Sequence, residues 1–340
     1  MNNELLKLLE NIKKEPKFEE EGKRILLLDG LNLFFRNFIR LNMVNPDGVH
    51  IGGLGGFFRS LGALIRQIQP TDVYVIFDGA GSSNNRRNVL PEYKSGREAN
   101  RVTNWDVFDD RDEEDISKIS QIVRIVQYLK TLPVKIISID RIEADDIIAH
   151  LSSHFSKDEK NISFIVSADR DFLQLVSKNV VVYSPIIKEI FTEEAVKKKF
   201  GVYPYNFIIY KTLLGDMSDT LTNVKGLGPK TLYKKFPELA ERKMSLQDIF
   251  DLSEERLKEH IIYARILKEK EILKKKYRIM DLNNPMLDKN EKKFIIEIVN
   301  SKELNYIPNE FLRMYREDNL GNIVKNVEIW IKENFEPLLN

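Results

Sequence analysis

With 340 residues, 42% of them hydrophobic and 31% charged, the chain has apolar material for one large globular domain or two modest ones. The absence of cysteine and the presence of only four scattered histidines exclude disulfide frameworks, zinc–thiolate centres and His-rich metal sites. No run approaches the ~18 apolar residues of a membrane span, and the charged N-terminus is unlike a secretory signal, so a cytoplasmic setting without membrane contact is expected.

Residues 1–22 read as an N-terminal extension, an amphipathic helix (Leu5, Leu6, Leu8, Leu9, Ile12) followed by a charged linker. Packing on the body and docking to a partner are both open for it. From Ile25 to about Pro185, apolar runs alternate with helical patterns, as in an α/β fold built on a doubly wound, mostly parallel sheet. Strands are expected at 24–28, 73–77, 134–138, 163–167 and 180–183. Between Asp78 and Ile116 apolar residues are sparse. That stretch is either a plain surface loop or a substrate-gripping segment, in which Arg86, Arg87, Tyr93, Lys94, Arg97 and Arg101 mix cations with an aromatic ring. The acidic run Asp109–Asp115 opposes the second reading locally, unless it opens the next helix, where carboxylates suit the positive dipole end. Beyond Phe191 the pattern is helical and lysine-rich to about Ile279, and residues 281–340 add a small helical region without a chemical motif.

Nine acids stand at the ends of the apolar runs or beside Gly-rich turns: Asp29, Asp78, Glu143, Asp145, Asp146, Asp169, Asp171, Asp216 and Asp219. The carboxyl ends of parallel strands share one edge, so acids delivered there converge on one crevice. So many carboxylates require cations, and paired hard metals on oxygen ligands suit phosphodiester hydrolysis. The formal net charge is +1, from 53 basic and 52 acidic residues; with those nine acids neutralised, the rest of the chain carries an excess of about ten bases, consistent with an anionic polymer partner.

Each constellation also has a bland alternative. In Glu143–Ala144–Asp145–Asp146, helical spacing puts Glu143 and Asp146 on one face, yet an acidic first turn is common on dipole grounds. Asp169 and Asp171 follow the strand ISFIV, where either could simply cap a helix. Asp216 and Asp219 precede Lys225–Gly226–Leu227–Gly228–Pro229–Lys230–Thr231, a glycine turn with Lys230, Lys234 and Lys235 on the helix after it. Such a turn can grip a phosphate backbone without reading sequence.

Taken in order, LLLDGLNLFFR, VIFDGAGSSNNRR, LPEYKSGR, IEADDIIAH, VSADRDFLQL and LLGDMSDTLTNVKGLGPKT resemble the 5′-nuclease or flap endonuclease family, and especially its phage ribonuclease H branch, over roughly residues 23–235. The resemblance implies a PIN-like catalytic domain at 23–190 with a helical arch at about 84–118, a helix-hairpin duplex-DNA-binding region at 191–280, and a C-terminal helical region at 281–340. It implies a first Mg²⁺ held by Asp29, Asp78 and Asp145 with Glu143 close by. A second would be held by Asp169, Asp171 and Asp219, with Asp146 and Asp216 completing the shell and Mn²⁺ as a substitute. Arg36, Lys94 and Arg97 match basic residues that hold the scissile phosphate, Lys94 and Arg97 with a catalytic share. Gly226–Thr231 matches the duplex-holding turn, sometimes with a bound K⁺.

The implied activity is Mg-dependent 5′→3′ exonuclease and flap endonuclease cleavage, with ribonuclease H activity, on DNA bearing a 5′ flap or nick and on RNA–DNA hybrids. The role would be primer and flap removal in replication, by a monomer in the cytoplasm, or the host cytoplasm for a phage-encoded chain. A sliding clamp or single-strand-binding protein is a further expected partner. Thr220–Leu221–Thr222–Asn223 stands where the family has Asn–Ile–Pro–Gly, and the N-terminal extension also departs from it. A non-catalytic junction-binding protein and a PIN-type ribonuclease are the rival readings; a polymerase-linked nuclease is not expected, since 340 residues leave no room for a polymerase.

Overall fold

The computed structural model describes residues 22–95 and 102–339, which form a six-stranded sheet enclosed by helices. Strands β1 (Arg24–Asp29), β2 (Asp72–Ile76), β3 (Lys135–Ile137), β4 (Ile162–Val166) and β5 (Val180–Ser184) run parallel, and β6 (Glu189–Phe191) is antiparallel to β5. The spatial order is β3-β2-β1-β4-β5-β6. All five expected strands are present; β6 was not foreseen, because three residues at a turn carry no periodic signal.

The order changes direction between β1 and β4, and side chains beyond their carboxyl ends meet at that switch point. Register sharpens this: Leu28 pairs with Val166 and Asp29 with Ile76, which brings Asp29 level with Ser167. The sheet is buried on both faces, as the unbroken apolar runs require. Ile25 and Leu27 of β1 enter one apolar cluster and Leu26 and Leu28 the other, each fully buried. Burial of such a side chain contributes about 1.5–3 kcal/mol.

One face carries α1 (Gly30–Arg40), α2 (Gly52–Ile68), α4 (Arg111–Leu129), α13 (Pro308–Glu317) and α14 (Val327–Phe335), which supply Phe34, Phe57, Tyr128, Phe311 and Trp330. On the other lie α5 (Ala144–Phe155), α7 (Pro204–Leu214), α8 (Pro229–Lys235), α9 (Leu246–Glu255), α10 (Ile261–Lys268), α11 (Lys270–Met280) and α12 (Lys289–Asn300). The helices between residues 193 and 300 therefore share a continuous apolar cluster with the sheet. Two shorter helices, α3 (Asn84–Val89) and α6 (Glu193–Phe200), complete the set used below.

The acidic run does open a helix. Asp110 caps α4 by accepting from the Glu113 N–H at 2.8 Å, and Asp112, Glu113 and Glu114 occupy its first turn. Glu114 is buried and accepts from Thr103 and Asn104, tying the segment before α4 to it. The extension 1–21, with the helix expected there, lies outside the described residues. Among those described, no helix is long and apolar enough to cross a membrane.

Candidate active site

Five acids gather at the switch point. Asp29 closes β1 and caps α1: Oδ1 accepts from the Asn32 N–H at 3.0 Å, and Oδ2 accepts from Ser167 Oγ at 2.9 Å. Asp78, two residues past β2, accepts from the Ala144 N–H at 2.6 Å and so caps α5 from another element. Glu143 occupies the cap position itself but makes no capping bond, which leaves its carboxylate free to turn inward. Asp169 caps the 3₁₀ turn Arg170–Leu175 by accepting from the Asp171 N–H at 2.8 Å. Asp145, in the first turn of α5, lies against Asp169, Asp29 and Glu143.

This group carries an electrostatic burden. Burial, with the charges of Asp78 and Asp169, pushes the Asp29 carboxyl up to about 7. Burial and then Asp169 and Asp29 push Asp145 well above the usual carboxylate range, and burial with Glu143 raises Asp78. Removing a carboxylate from water disfavours its ionised form, and like charges nearby add to that cost.

The other acids are compensated from within the chain. Arg86 of α3 donates from both Nη atoms to Asp146, at 2.6 and 3.2 Å, and stands 3.3 Å from Glu143. Lys94 Nζ donates to both Glu143 oxygens at 2.9 Å, and the Tyr93 hydroxyl donates to Oε2 at 3.1 Å. Burial pushes Glu143 up, but Arg86 and Lys94 outweigh it and hold the carboxyl below its ordinary range. Lys211 of α7 reaches Asp216 Oδ2 at 2.5 Å and also contacts Asp171 Oδ1. Against burial, that ammonium and the Ser218 hydrogen bonds bring Asp216 down to about 2.

The acid loop is fixed by its backbone. Asp216 and Leu221 exchange two hydrogen bonds at 2.8 Å, and Gly215 enters at φ +73°, where a Cβ would run into the Leu221 carbonyl. The Lys94 N–H donates to the Asp219 carbonyl at 3.0 Å, linking this loop to the turn after α3. Lys276 of α11, buried, donates to the Thr222 carbonyl at 2.6 Å and supports the stretch that departs from the family motif.

Several expectations need correction. Arg86 and Tyr93, expected to face nucleic acid, are each only 3% exposed, because both turn inward to Glu143 and Asp146. Asp146, expected in a metal shell, is bonded by Arg86 and by the Met286 N–H at 2.8 Å. Arg87 braces the Tyr93 and Lys94 carbonyls at 3.3 and 3.5 Å. Arg36, two turns along α1 from Asp29, is half-buried beside Tyr183, and its Nε has no hydrogen-bond partner among the described residues. Lys225, Gly226, Lys230 and Lys234 are exposed, with Gly228 and Thr231 partly so, around the start of α8, and Gly226 takes φ +80°. Arg97 and Arg101 lie outside the described residues.

Sequence reasoning missed Lys211 and Gln174. A lone lysine in the apolar run PYNFIIYKTLL, five positions before Asp216, was the available signal, since a buried cation needs an anionic partner. Gln174 is buried in the 3₁₀ turn and reads the Met280 carbonyl at 2.9 Å and the Leu282 N–H at 3.0 Å.

The donors fit hard divalent cations. They are carboxylate oxygens without sulfur or imidazole, and Asp29, Asp78 and Asp145 bear a burial cost that positive charge would relieve. Among the described residues no group of acids or histidines is already drawn tightly enough to hold an ion, so binding would have to pull them together. A cavity of about 1080 Å³ bordered by Arg59 and Trp330 contains none of the nine acids.

Residues 24–201 match the 5′-3′ exonuclease, N-terminal resolvase-like domain. The chain belongs to the 5′-3′ exonuclease family. A 5′-3′ exonuclease of Aquifex aeolicus is 35% identical over 210 residues, 62% of this chain and 67% of that protein. DNA polymerase I of Bacillus caldotenax is 29% identical over 78% of this chain, which spans only 28% of the polymerase's length. A structure of the bacteriophage T5 flap endonuclease with DNA and metal ions superposes with a TM-score of 0.63 at 19% identity, covering 88% of this chain and all of the other, which shows a shared fold. In this 5′-3′ exonuclease family member the acids therefore stand at the carboxyl edge of the sheet within the matched domain, apart from Asp216 and Asp219.

Proposed function

We propose that this family member is a structure-specific 5′ nuclease that hydrolyses phosphodiesters with two divalent cations, Mg²⁺ by preference and Mn²⁺ as a substitute. The observation that carries the reading is the set Asp29, Asp78, Asp145 and Asp169 at the β1–β4 switch point, with Asp29 buried, Asp145 and Asp169 half-buried and Asp78 at the surface, whose charges repel one another in a way that divalent charge relieves. Bound there, the cations would lower the pKa of a water and neutralise charge developing on the phosphate. Asp171, Asp216 and Asp219 flank that set as donors for the second cation, while Glu143 orients Lys94 beside the first.

The chain's own contribution is positioning. Lys94, half-buried and held at positive φ by the Asp219 carbonyl, keeps its ammonium at the rim of the acid set, where it orients the scissile phosphate. Arg36, with its unpartnered Nε, and Arg97 supply further phosphate contacts. The Gly226–Gly228 turn and Lys225, Lys230, Thr231 and Lys234 hold duplex backbone, with K⁺ as a companion ion, and no element reads sequence.

The substrate class is branched or nicked duplex with a free 5′ end, RNA–DNA hybrids included, and the role is removing primers and flaps in replication. The T5 enzyme's complex with DNA and metal ions supports this choice. Residues 23–190, joined by Asp216 and Asp219, would do the chemistry and the rest of 191–280 hold the duplex, in a cytoplasmic monomer that meets a sliding clamp or single-strand-binding protein at its ends. Cleavage of a 5′-labelled flap duplex with Mg²⁺ tests the reading, comparing wild type with Asp78→Asn, which keeps the Oδ1 cap on Ala144. Loss of cleavage with binding retained is expected; binding without cleavage by either protein would instead favour a non-catalytic junction binder.

A further inference from the structure

We infer that the Lys211 ammonium is an internal stand-in for the second cation, holding Asp171 and Asp216 together until a divalent ion displaces it. The inference rests on the two-cation reading above. A lysine is expensive to bury, yet Lys211 is 6% exposed and lies between two carboxylates from different elements, the 3₁₀ turn after β4 and the loop after α7. Among the described residues the ion pairs at the site fall on Glu143, Asp146, Asp171 and Asp216, and none on the neighbouring set of Asp29, Asp145 and Asp169. The two halves of the site thus differ before any ion arrives: one is short of positive charge, the other already has it.

Two consequences follow from charge and space. The first cation should enter the uncompensated half without competition. The second must take oxygens that Lys211 now holds, so its apparent affinity is lowered by the cost of breaking a buried ion pair. The ammonium has somewhere to go: Lys211 also borders a cleft of about 440 Å³ lined by Phe207, Tyr210, Asp216 and Gly228. A flexible four-carbon stem can swing its charge into that cleft while the stem stays against the aromatic rings.

The test uses the full chain with Ca²⁺ as a non-hydrolytic probe. Amine acetylation read by mass spectrometry should find Lys211 protected in chelator and labelled at saturating Ca²⁺. Calorimetric titration should give two unequal sites in wild type, and in Lys211→Met a second site at least tenfold tighter. Equal labelling of Lys211 with and without Ca²⁺ would overturn the inference, as would a second site unchanged or weakened in the variant. Should Lys211→Met not fold, the wild-type labelling decides alone. Flap cleavage by wild type with Mg²⁺ is measured in parallel: cleavage with unchanged labelling sinks only the role of Lys211, whereas no Ca²⁺ uptake and no cleavage remove the nuclease reading together with it.

Discussion

Arg86 and Asp146 form a buried, two-pronged ion pair at 2.6 and 3.2 Å that joins α3 to the helix bearing Asp145. The same guanidinium donates from Nε to the Ile279 carbonyl at 2.7 Å, and Asp146 accepts from the Met286 N–H. Three elements far apart in the chain, α3, α5 and the end of α11, are thus pinned at one point behind the acids.

Arg86→Ala leaves Asp146 buried without its cation and Glu143 with Lys94 alone, and removing one partner of such a buried pair costs about 3–5 kcal/mol. Urea denaturation should show this loss for Arg86→Ala and far less for Arg87→Ala, whose side chain only braces two carbonyls. Equal losses would mean that the pair does not organise the site.

Gln174→Leu keeps the volume but strands the Met280 carbonyl and the Leu282 N–H, at about 1–3 kcal/mol for each unsatisfied group. Hydrogen exchange should speed up at Leu282 in that variant while β1 remains protected, because Leu28 and its neighbours do not touch this network.

Metal-free stability should fall as pH rises between about 4 and 7. The Asp29 carboxyl sits at about 7 when folded against 3.8 ordinarily, so across that window the folded chain keeps a proton the unfolded chain has released. Asp78 and Asp145 shift in the same direction. Asp216, lowered to about 2, acts oppositely: its stabilisation is present above 3.8 and is lost as pH falls towards 2. Melting temperature in chelator should therefore peak in mildly acidic buffer, drop by several degrees towards pH 8, and recover with Ca²⁺; Asp29→Asn should flatten the drop. A melting temperature that rises steadily to pH 8 in chelator would contradict the burial of these acids.

Gly215→Ala meets the Leu221 carbonyl at a backbone angle that L residues rarely adopt, a strain of about 1–3 kcal/mol. The acid loop should shift, with lower melting temperature and loss of cleavage together. Gly228→Ala, whose Cβ would have nothing within 4 Å, should fold as wild type does. A stable, active Gly215→Ala would show that the loop tolerates another path.

What the sequence determined by itself was the frame. Runs such as ILLLD and FIVSAD are apolar on both alternating faces, so they had to be interior strands, and parallel strands necessarily deliver their terminal acids to a common edge. Asp29, Asp78 and Asp169 were legible for that reason, whereas Asp145 stands in the first turn of α5. Local chemistry also offered the acidic run Asp109–Asp115 as a helix start and the glycine turn at Gly226–Gly228. Tertiary structure alone decided which acids keep their charge unanswered. Arg86 lies 60 positions from Asp146, Lys94 lies 49 from Glu143, and Lys211 approaches Asp171 only because α7 packs on the 3₁₀ turn. Tyr93 looked like a stacking surface beside Lys94, yet burial turned its hydroxyl to Glu143. Spacing along a chain tells which residues share an element; the neutralisation of a buried charge depends on which elements touch, and that is settled only when the sheet and its helices are packed together.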